Sequence, residues 1–278
     1  LVIEKVYKKQ LLPVISKPTM KVLLKIPGIN KILFKKVREK LETSFGGRFK
    51  ELVIGGAAFN ADAEKFFRKI GMRYAVGYGM TECGPLISYD AWRTARLASC
   101  GKAVDTLEVK IDSPDPQKTV GEIILRGDNV MLGYYKNEKA TREVIDEDGW
   151  MHTGDLGVID RDGYIYIKGR SKDMLLGPSG KNIYPEEIES IINNYKYVSE
   201  AVVISEDNKL VGLIYPDYEV LKADGIGDDR LAGELDTIRK DVNSRVPEYM
   251  AVTKFRVHPE EFAKTPKKSI KRYLYMKD

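Results

Sequence analysis

The stretch that decides the fold runs from Asp148 to Glu189 and reads DGWMHTGDLGVIDRDGYIYIKGRSKDMLLGPSGKNIYPEEIE. Two apolar runs within it, at 156–159 and 164–167, flank the turn-forming sequence DRDG at 160–163. Strand-forming residues on both sides of such a turn, with a glycine available for a positive φ, are typical of a β-hairpin. The pattern therefore predicts two antiparallel strands joined at 160–163.

The predicted hairpin carries a carboxylate and a guanidinium near its two ends, Asp155 and Arg170. A carboxylate and an arginine commonly form a structural ion pair. A carboxylate can also accept from two neighbouring hydroxyls, as on a ribose, while an arginine donates to sugar or phosphate oxygens. The spacing of the two residues leaves both interpretations open.

Length and composition restrict the class of protein. At 278 residues, with 31% charged and 43% hydrophobic residues, the chain has a globular composition and is long enough for two ordinary domains. No apolar run approaches the roughly 20 residues of a transmembrane helix. Two cysteines without metal-binding spacing favour a reducing cytoplasm, and two histidines are too few for a histidine-rich metal site.

The first 50 residues are strongly basic, with 13 Lys and Arg against 3 Asp and Glu. Apolar residues recur there at helical spacing, at Ile29, Leu33, Val37 and Leu41 with Ile32 alongside. The favoured interpretation is a solvated lysine face over a stripe that packs on the core. The alternative is a basic amphipathic helix at an anionic membrane surface, and no nucleic-acid-binding motif accompanies the charge.

The segment from 49 to 84 predicts a β-α-β unit. A buried strand at 52–54 ends in Gly55-Gly56-Ala57-Ala58, a helix follows from Asn60 or Asp62 as its N-cap to Ile70, and the next strand covers 73–78. Small residues where parallel strands end leave a crevice that a flat ring can approach. The sequence Tyr78-Gly79-Met80-Thr81-Glu82 follows directly, and alone it is equally compatible with a core tyrosine, a capping threonine and a surface glutamate.

The remaining elements are a strand at 121–126, a short helix near 137–144 and, after Lys172, a smaller α+β unit. That unit is predicted to contain helices at 185–194 and 228–244, a hairpin formed by 198–205 and 210–215, and a strand at 253–258. His152 precedes the TGD sequence, and a single loop histidine is more often a packing or solvent residue than a catalytic base.

The chain resembles the adenylate-forming acyl-CoA synthetases, the AMP-binding enzyme family. The resemblance rests on several motifs in order: GGA at 55–57, YGMTE at 78–82, TGD at 153–155, GRSKD at 169–173 and GKNIYPEEIE at 180–189. It implies an α/β fold that combines the rear part of a large AMP-binding domain, residues 1–171, with a small mobile α+β domain, residues 172–278. It also implies activation of a carboxylic acid with ATP and Mg²⁺ to an acyl-adenylate, followed by thioester formation with coenzyme A.

By this resemblance each motif residue has an implied role. The residues that line the adenine are Gly55, Gly56, Ala57, Tyr78 and Gly79. Thr81 contacts a phosphate, Glu82 holds the metal, and Asp155 and Arg170 bind the rest of the nucleotide. Lys172 is the interdomain hinge, and Gly180 lies beside coenzyme A. The start, LVIEKVYKKQLLP, is most like long-chain fatty-acid–CoA ligases. The expected substrates are therefore a long-chain fatty acid and coenzyme A.

Two departures from the family pattern affect the expected activity. The phosphate loop that precedes GGA in the family has no match, so the chain is expected to be the C-terminal portion of a longer enzyme and inactive alone. In the tail, Ser269 occupies the position of the family's adenylation lysine, which leaves Lys268 or Lys271 as the catalytic candidate. The alternatives are an enzyme that adenylates another carboxylic acid, or a nucleotide-binding module without turnover.

Overall fold

The computed structural model describes residues 6–15, 17–56, 59–177, 180–265 and 269–276. The chain divides into two compact units, Leu1–Ile167 and Lys168–Asp278. Helices and strands occur in both units, and the α/β class predicted from the sequence is confirmed.

Unit 1 begins with helices and continues with short strands that precede an antiparallel sheet. A short π-helix at Tyr7–Leu11 comes first. The α-helices and strands that follow are α1 (Leu12–Ile15), α2 (Pro18–Leu23), α3 (Ile29–Ser44), β1 (Leu52–Ile54), α4 (Ala61–Lys69), β2 (Tyr74–Val76), β3 (Tyr78–Gly79), β4 (Leu86–Tyr89), β5 (Lys102–Ala103), β6 (Leu107–Asp112), β7 (Gly121–Gly127), α5 (Glu138–Val144), β8 (Met151–Ile159) and β9 (Ile165–Arg170). Strand β9 ends beyond the division between the units.

The predicted β-α-β unit is present: β1 and β2 pair in parallel, and α4 connects them. Asn60 is the N-cap of α4, and its side-chain oxygen accepts from the backbone N–H groups of Asp62 and Ala63 at 3.1 and 3.0 Å. A cap of this kind stabilises a helix by about 1 kcal/mol. Phe66 and Phe67 on the inner face of α4 are buried against β2 and α3 residues in one apolar cluster. Because β1 and β2 are parallel, their carboxyl ends lie at the same edge.

Helix α3 packs less completely than its apolar stripe predicts. Leu41 is only 4% exposed and joins the core with α4, but Ile29 and Ile32 are 39% and 59% exposed. The core lies under the C-terminal turns of α3, so the first turns extend past it. The prediction of a stripe packed on the core along its length is therefore wrong for these two residues.

Two sheets complete unit 1, one in the strand order β3-β4-β5 and one in the order β6-β7-β8-β9. The predicted turn between β8 and β9 is present. The Asp160 side chain accepts from the N–H groups of Asp162 and Tyr164, both at 2.9 Å, and Gly163 has φ +84°. Local side-chain bonds of this kind are why such sequences favour turns.

Unit 2 contains a three-stranded sheet with helices packed on it and a separate two-stranded sheet. Its helices and strands are β10 (Leu175–Leu176), β11 (Asn182–Ile183), α6 (Pro185–Ile192), β12 (Val198–Glu206), β13 (Lys209–Pro216), α7 (Tyr218–Asp224), α8 (Asp228–Arg245) and β14 (Val252–Val257). β13 pairs with β12 in antiparallel and with β14 in parallel orientation. Apolar residues of α6, α8 and the sheet form one buried cluster that includes Ile188, Ile214 and Val242. The C-terminal elements predicted from the sequence are thus present, although α6 ends two residues early.

Candidate functional site

The TGD sequence is a bulge in strand β8. Glu122 of β7 lies opposite Leu156, and Ile124 lies opposite His152, so Thr153, Gly154 and Asp155 all face a single β7 residue. Two extra residues on one strand bend it and remove backbone groups from the regular ladder. Bulges are frequent beside active sites because they redirect a side chain. Here the bulge determines the direction of Asp155.

Thr153 and Gly154 shape the bulge. The Thr153 hydroxyl donates to the Ile123 carbonyl oxygen at 2.7 Å, and its oxygen accepts from the Asp155 N–H at 3.0 Å. Gly154 has φ +69°, a conformation in which any other residue is strained. The backbone of the bulge therefore favours Thr at 153 and Gly at 154, whatever the role of Asp155.

Asp155 and Tyr78, two of the predicted nucleotide-binding residues, are in direct contact. The Tyr78 hydroxyl donates to Asp155 Oδ2 at 2.7 Å, and the two residues are 7% and 6% exposed. Tyr78 also belongs to the apolar cluster of the β6–β9 sheet. A short bond to a buried carboxylate is of the strong, charge-assisted kind, and it holds one Asp155 oxygen in place.

The predicted glycines lie near each other at the ends of β1 and β3. A Cβ on Gly55 would lie 3.3 Å from the Gly77 carbonyl oxygen, and one on Gly79 would lie 2.0 Å from the Pro85 carbonyl oxygen. Gly56 has φ +81° and open space around it, whereas Ala57 lies outside the described residues. Gly79 is thus required by the close approach of β3 and β4, whatever ligand binds there.

Glu82, the predicted metal ligand, has a partner that the sequence did not indicate. It lies with the exposed Thr81 in a single 3₁₀ turn, and its Oε1 accepts from the Tyr134 hydroxyl at 3.1 Å. Burial, followed by the hydrogen bond to Glu82, raises the pKa of Tyr134. Tyr134 and Glu82 are 52 residues apart in the chain, and no local sequence pattern indicates a contact over that separation.

Besides the tail lysines, three of the predicted residues lie in unit 2. Arg170 is exposed at the end of β9, and Lys172 is exposed in the 3₁₀ turn Ser171–Asp173. Gly180 has φ +72°, and its N–H donates to the Gly177 carbonyl oxygen at 2.9 Å. Their roles as nucleotide ligand, hinge and coenzyme A contact remain predictions.

The lysine tail is only partly described. Lys268 lies outside the described residues, and on either side of it Thr265 N–H donates to the Ser269 carbonyl oxygen at 2.8 Å. Lys271 is half-buried, and its N–H donates to the Ala263 carbonyl oxygen at 2.8 Å. The backbone on both sides of the tail sequence is therefore hydrogen-bonded, while the identity of the catalytic lysine remains a prediction.

His152 contacts carboxylates on two other segments of the chain. Its Nδ1 lies 2.8 Å from Glu122 Oε2, and its Nε2 lies 3.8 Å from Asp146 Oδ2. The hydrogen bond to Glu122 is the main cause that raises the pKa of His152. Glu122 also binds the bulge, because its Oε1 accepts from the Gly154 N–H at 2.8 Å.

Within the described parts of the chain, no cluster of three or more His, Cys, Asp or Glu side chains could hold a metal ion by itself. A single carboxylate such as Glu82, with a neutral hydroxyl as its partner, still fits Mg²⁺. Mg²⁺ commonly takes one or two carboxylates and completes its shell with water and substrate phosphates. The described helices also include none that is long and apolar enough to cross a membrane.

Two family models match the chain. Residues 3–135 match the AMP-binding enzyme model, and residues 172–278 match the model of the AMP-binding enzyme C-terminal domain. Together they account for most of the sequence, in the order that the motifs predict. The chain belongs to the AMP-binding enzyme family, and the resemblance stated from its motifs is confirmed.

Individual relatives and structures agree with this assignment. A long-chain-fatty-acid–CoA ligase of Mycobacterium bovis, FadD15, is 31% identical over 256 residues, which are 85% of this chain and 42% of that protein. The o-succinylbenzoate CoA synthetase of Bacillus subtilis, solved with its acyl-adenylate, matches at 26% identity and a TM-score of 0.69, over 85% of this chain and 49% of that one.

The adenylation domain of a carboxylate reductase from Mycobacterium chelonae matches 99% of this chain and 43% of its own, with a TM-score of 0.78. At 20% identity this likeness concerns the fold alone. The chain spans less than half the length of each of these three proteins.

Proposed function

We propose that this chain is part of an AMP-forming acid–CoA ligase that activates a long-chain fatty acid. The whole enzyme converts the acid and ATP to acyl-AMP and then transfers the acyl group to coenzyme A. The observation that carries the proposal is Asp155, presented by the TGD bulge and held at 2.7 Å by Tyr78, within a chain of the AMP-binding family.

The nucleotide-binding residues act through ordinary hydrogen bonding and packing. Asp155 accepts from the two ribose hydroxyls, and Arg170 donates to nucleotide oxygens. Gly55 and Gly56 leave room for the adenine beside Tyr78, and Ala57 and Gly79 belong to the same adenine-binding motifs. Thr81 donates to a phosphate oxygen.

The protein promotes the chemical step by stabilising charge on the phosphates, because the reaction needs no protein nucleophile. Bound Mg²⁺, held by Glu82, would supply charge neutralisation at the phosphates. The side-chain ammonium of Lys268 or Lys271 meets the charge that develops on the α-phosphate when the carboxylate attacks. Unit 2 then contributes Lys172 as the hinge and Gly180 as the coenzyme A contact in thioester formation.

We propose a cytoplasmic enzyme that associates peripherally with membranes, where its lipid substrate resides. Supporting this, the basic N-terminal stretch carries exposed apolar residues, among them Val22, Ile26, Ile29 and Ile32. Lysines with apolar neighbours on one surface suit an anionic bilayer.

Two rivals differ from this proposal in substrate or in turnover. The first alternative is an enzyme that activates an aryl or other carboxylic acid. It is suggested by the o-succinylbenzoate CoA synthetase of Bacillus subtilis, which matches this chain at 26% identity. A nucleotide-binding module without turnover is the second, because Ser269 stands where the family has its lysine. The long-chain assignment is favoured by the 31% identity to a long-chain ligase.

The test is ATP–pyrophosphate exchange by the whole protein with fatty acids of increasing length and with o-succinylbenzoate. We expect exchange that depends on long-chain acids, and little exchange by the 278-residue chain alone because it lacks a phosphate loop. Exchange with o-succinylbenzoate only would identify the first rival. ATP binding without exchange for any acid would identify the second.

A further inference from the structure

Glu122 on strand β7 connects two parts of the TGD bulge. Its Oε1 accepts from the Gly154 N–H, and its Oε2 faces Nδ1 of His152, both at 2.8 Å. The Glu122 side chain is 26% exposed. Short bonds from donors to an ionised carboxylate are about twice as strong as those between neutral groups. The Glu122 side chain thus binds both His152, at the start of the bulge, and Gly154, in its middle.

The bulge creates the need for this carboxylate. A residue that leaves the ladder loses its cross-strand backbone partner, and a buried or half-buried N–H without an acceptor is costly. Gly154 is in this position, with φ +69°, immediately before Asp155. The Glu122 carboxylate supplies the acceptor and thereby favours this conformation of Gly154 over others that glycine can adopt.

His152 orients Glu122 from the other side. The carboxylates around its imidazole are Glu122 at Nδ1, Asp146 at 3.8 Å from Nε2, and Asp112, whose charge also raises the pKa of His152. With these carboxylates around it, the imidazole donates from Nδ1 to Glu122 Oε2. The Glu122 oxygen bound to Gly154 is therefore fixed in direction as well as in distance.

We propose that Glu122 is a positioning residue for Asp155, which holds the backbone of the TGD bulge so that the Asp155 carboxylate faces the nucleotide. This inference rests on the proposed nucleotide-binding role of Asp155. Tyr78 fixes the Asp155 side chain, and Glu122 fixes the peptide that precedes it. The two supports come from different strands, β3 and β7.

The first test measures ATP and AMP affinity of the whole protein by titration calorimetry. Glu122→Ala removes both bonds, and we expect it to weaken ATP binding about 10-fold, as for loss of a charge-assisted hydrogen bond. Glu122→Gln keeps a carbonyl oxygen for Gly154 and should restore most of the affinity. Glu108→Ala is the matched control, since Glu108 is an exposed glutamate of the neighbouring strand β6 that pairs with Arg126, and it should bind ATP normally.

The second test is a double-mutant cycle with Asp155→Ala. If Glu122 acts through Asp155, Glu122→Ala causes no further loss of ATP affinity once Asp155 has been removed. Independent, additive losses would overturn the inference, as would unchanged affinity in Glu122→Ala alone. If Glu122→Ala does not fold, Glu122→Leu, which keeps side-chain bulk but has no acceptor oxygen for Gly154, takes its place in the cycle. If Asp155→Ala itself binds ATP normally, the proposed nucleotide site is wrong, which is a different result.

Discussion

The hydrogen bond between Tyr78 and Asp155 gives the sharpest test of the site. Tyr78→Phe removes one hydroxyl and keeps the ring, so no cavity forms in the surrounding cluster. The bond is 2.7 Å long, and both residues are less than 10% exposed, so little water replaces the missing donor. Loss of a hydrogen bond to a charged group costs about 1.5–3 kcal/mol. We expect the free energy of unfolding to fall by about that amount.

The assay is urea unfolding of Tyr78→Phe, Asp155→Asn and the double variant, with wild-type protein as reference. The coupling energy from this cycle isolates the contact from other effects of each substitution. Tyr135→Phe is the control, because Tyr135 is 88% exposed and should change stability by less than about 0.5 kcal/mol. A coupling energy below about 0.5 kcal/mol would refute the reasoning, since the two side chains would then act independently.

Three further predictions concern the glycines, the histidine and the tail. Gly79→Ala should destabilise the protein by about 1–3 kcal/mol, measured by thermal unfolding, because its Cβ would lie 2.0 Å from a carbonyl oxygen. His152 has a raised pKa when folded, so its stabilising effect is complete below pH about 6.5 and is lost as pH rises through the folded value. His152→Gln should therefore lower the urea midpoint more at pH 5.5 than at pH 8.5, and an equal loss would contradict this. Among alanine variants of Lys267, Lys268 and Lys271, we expect Lys268→Ala to slow adenylation roughly 10²–10³-fold and to spare thioester formation from supplied acyl-adenylate.

The two residues that hold Asp155 in place, Tyr78 and Glu122, should affect nucleotide binding in different ways. Tyr78 contacts the carboxylate itself, whereas Glu122 contacts only the preceding peptide. Loss of Tyr78's hydroxyl should therefore affect both stability and nucleotide affinity, and the affinity effect of Glu122 should require Asp155. Comparing the two variants separates a support of the side chain from a support of the backbone.

Much of the local structure was determined by the sequence alone. The DRDG turn, the Asn60 cap of α4 and Pro185 at the start of α6 lie where the sequence predicts them. Each depends on hydrogen bonds or backbone preferences within about four residues, so the neighbouring residues in the sequence are sufficient to predict it. The motifs that place the chain in its family are short stretches of the same kind.

Only the tertiary structure decided which of these pieces meet. Tyr78 contacts Asp155 across 77 positions, Glu122 contacts Gly154 across 32, and Tyr134 contacts Glu82 across 52. These contacts depend on strand register, and the two extra residues in β8 shift that register in a way that periodicity does not reveal. The exposure of Ile29 was equally hidden, because a helical stripe indicates an apolar face and not how far the core beneath it extends.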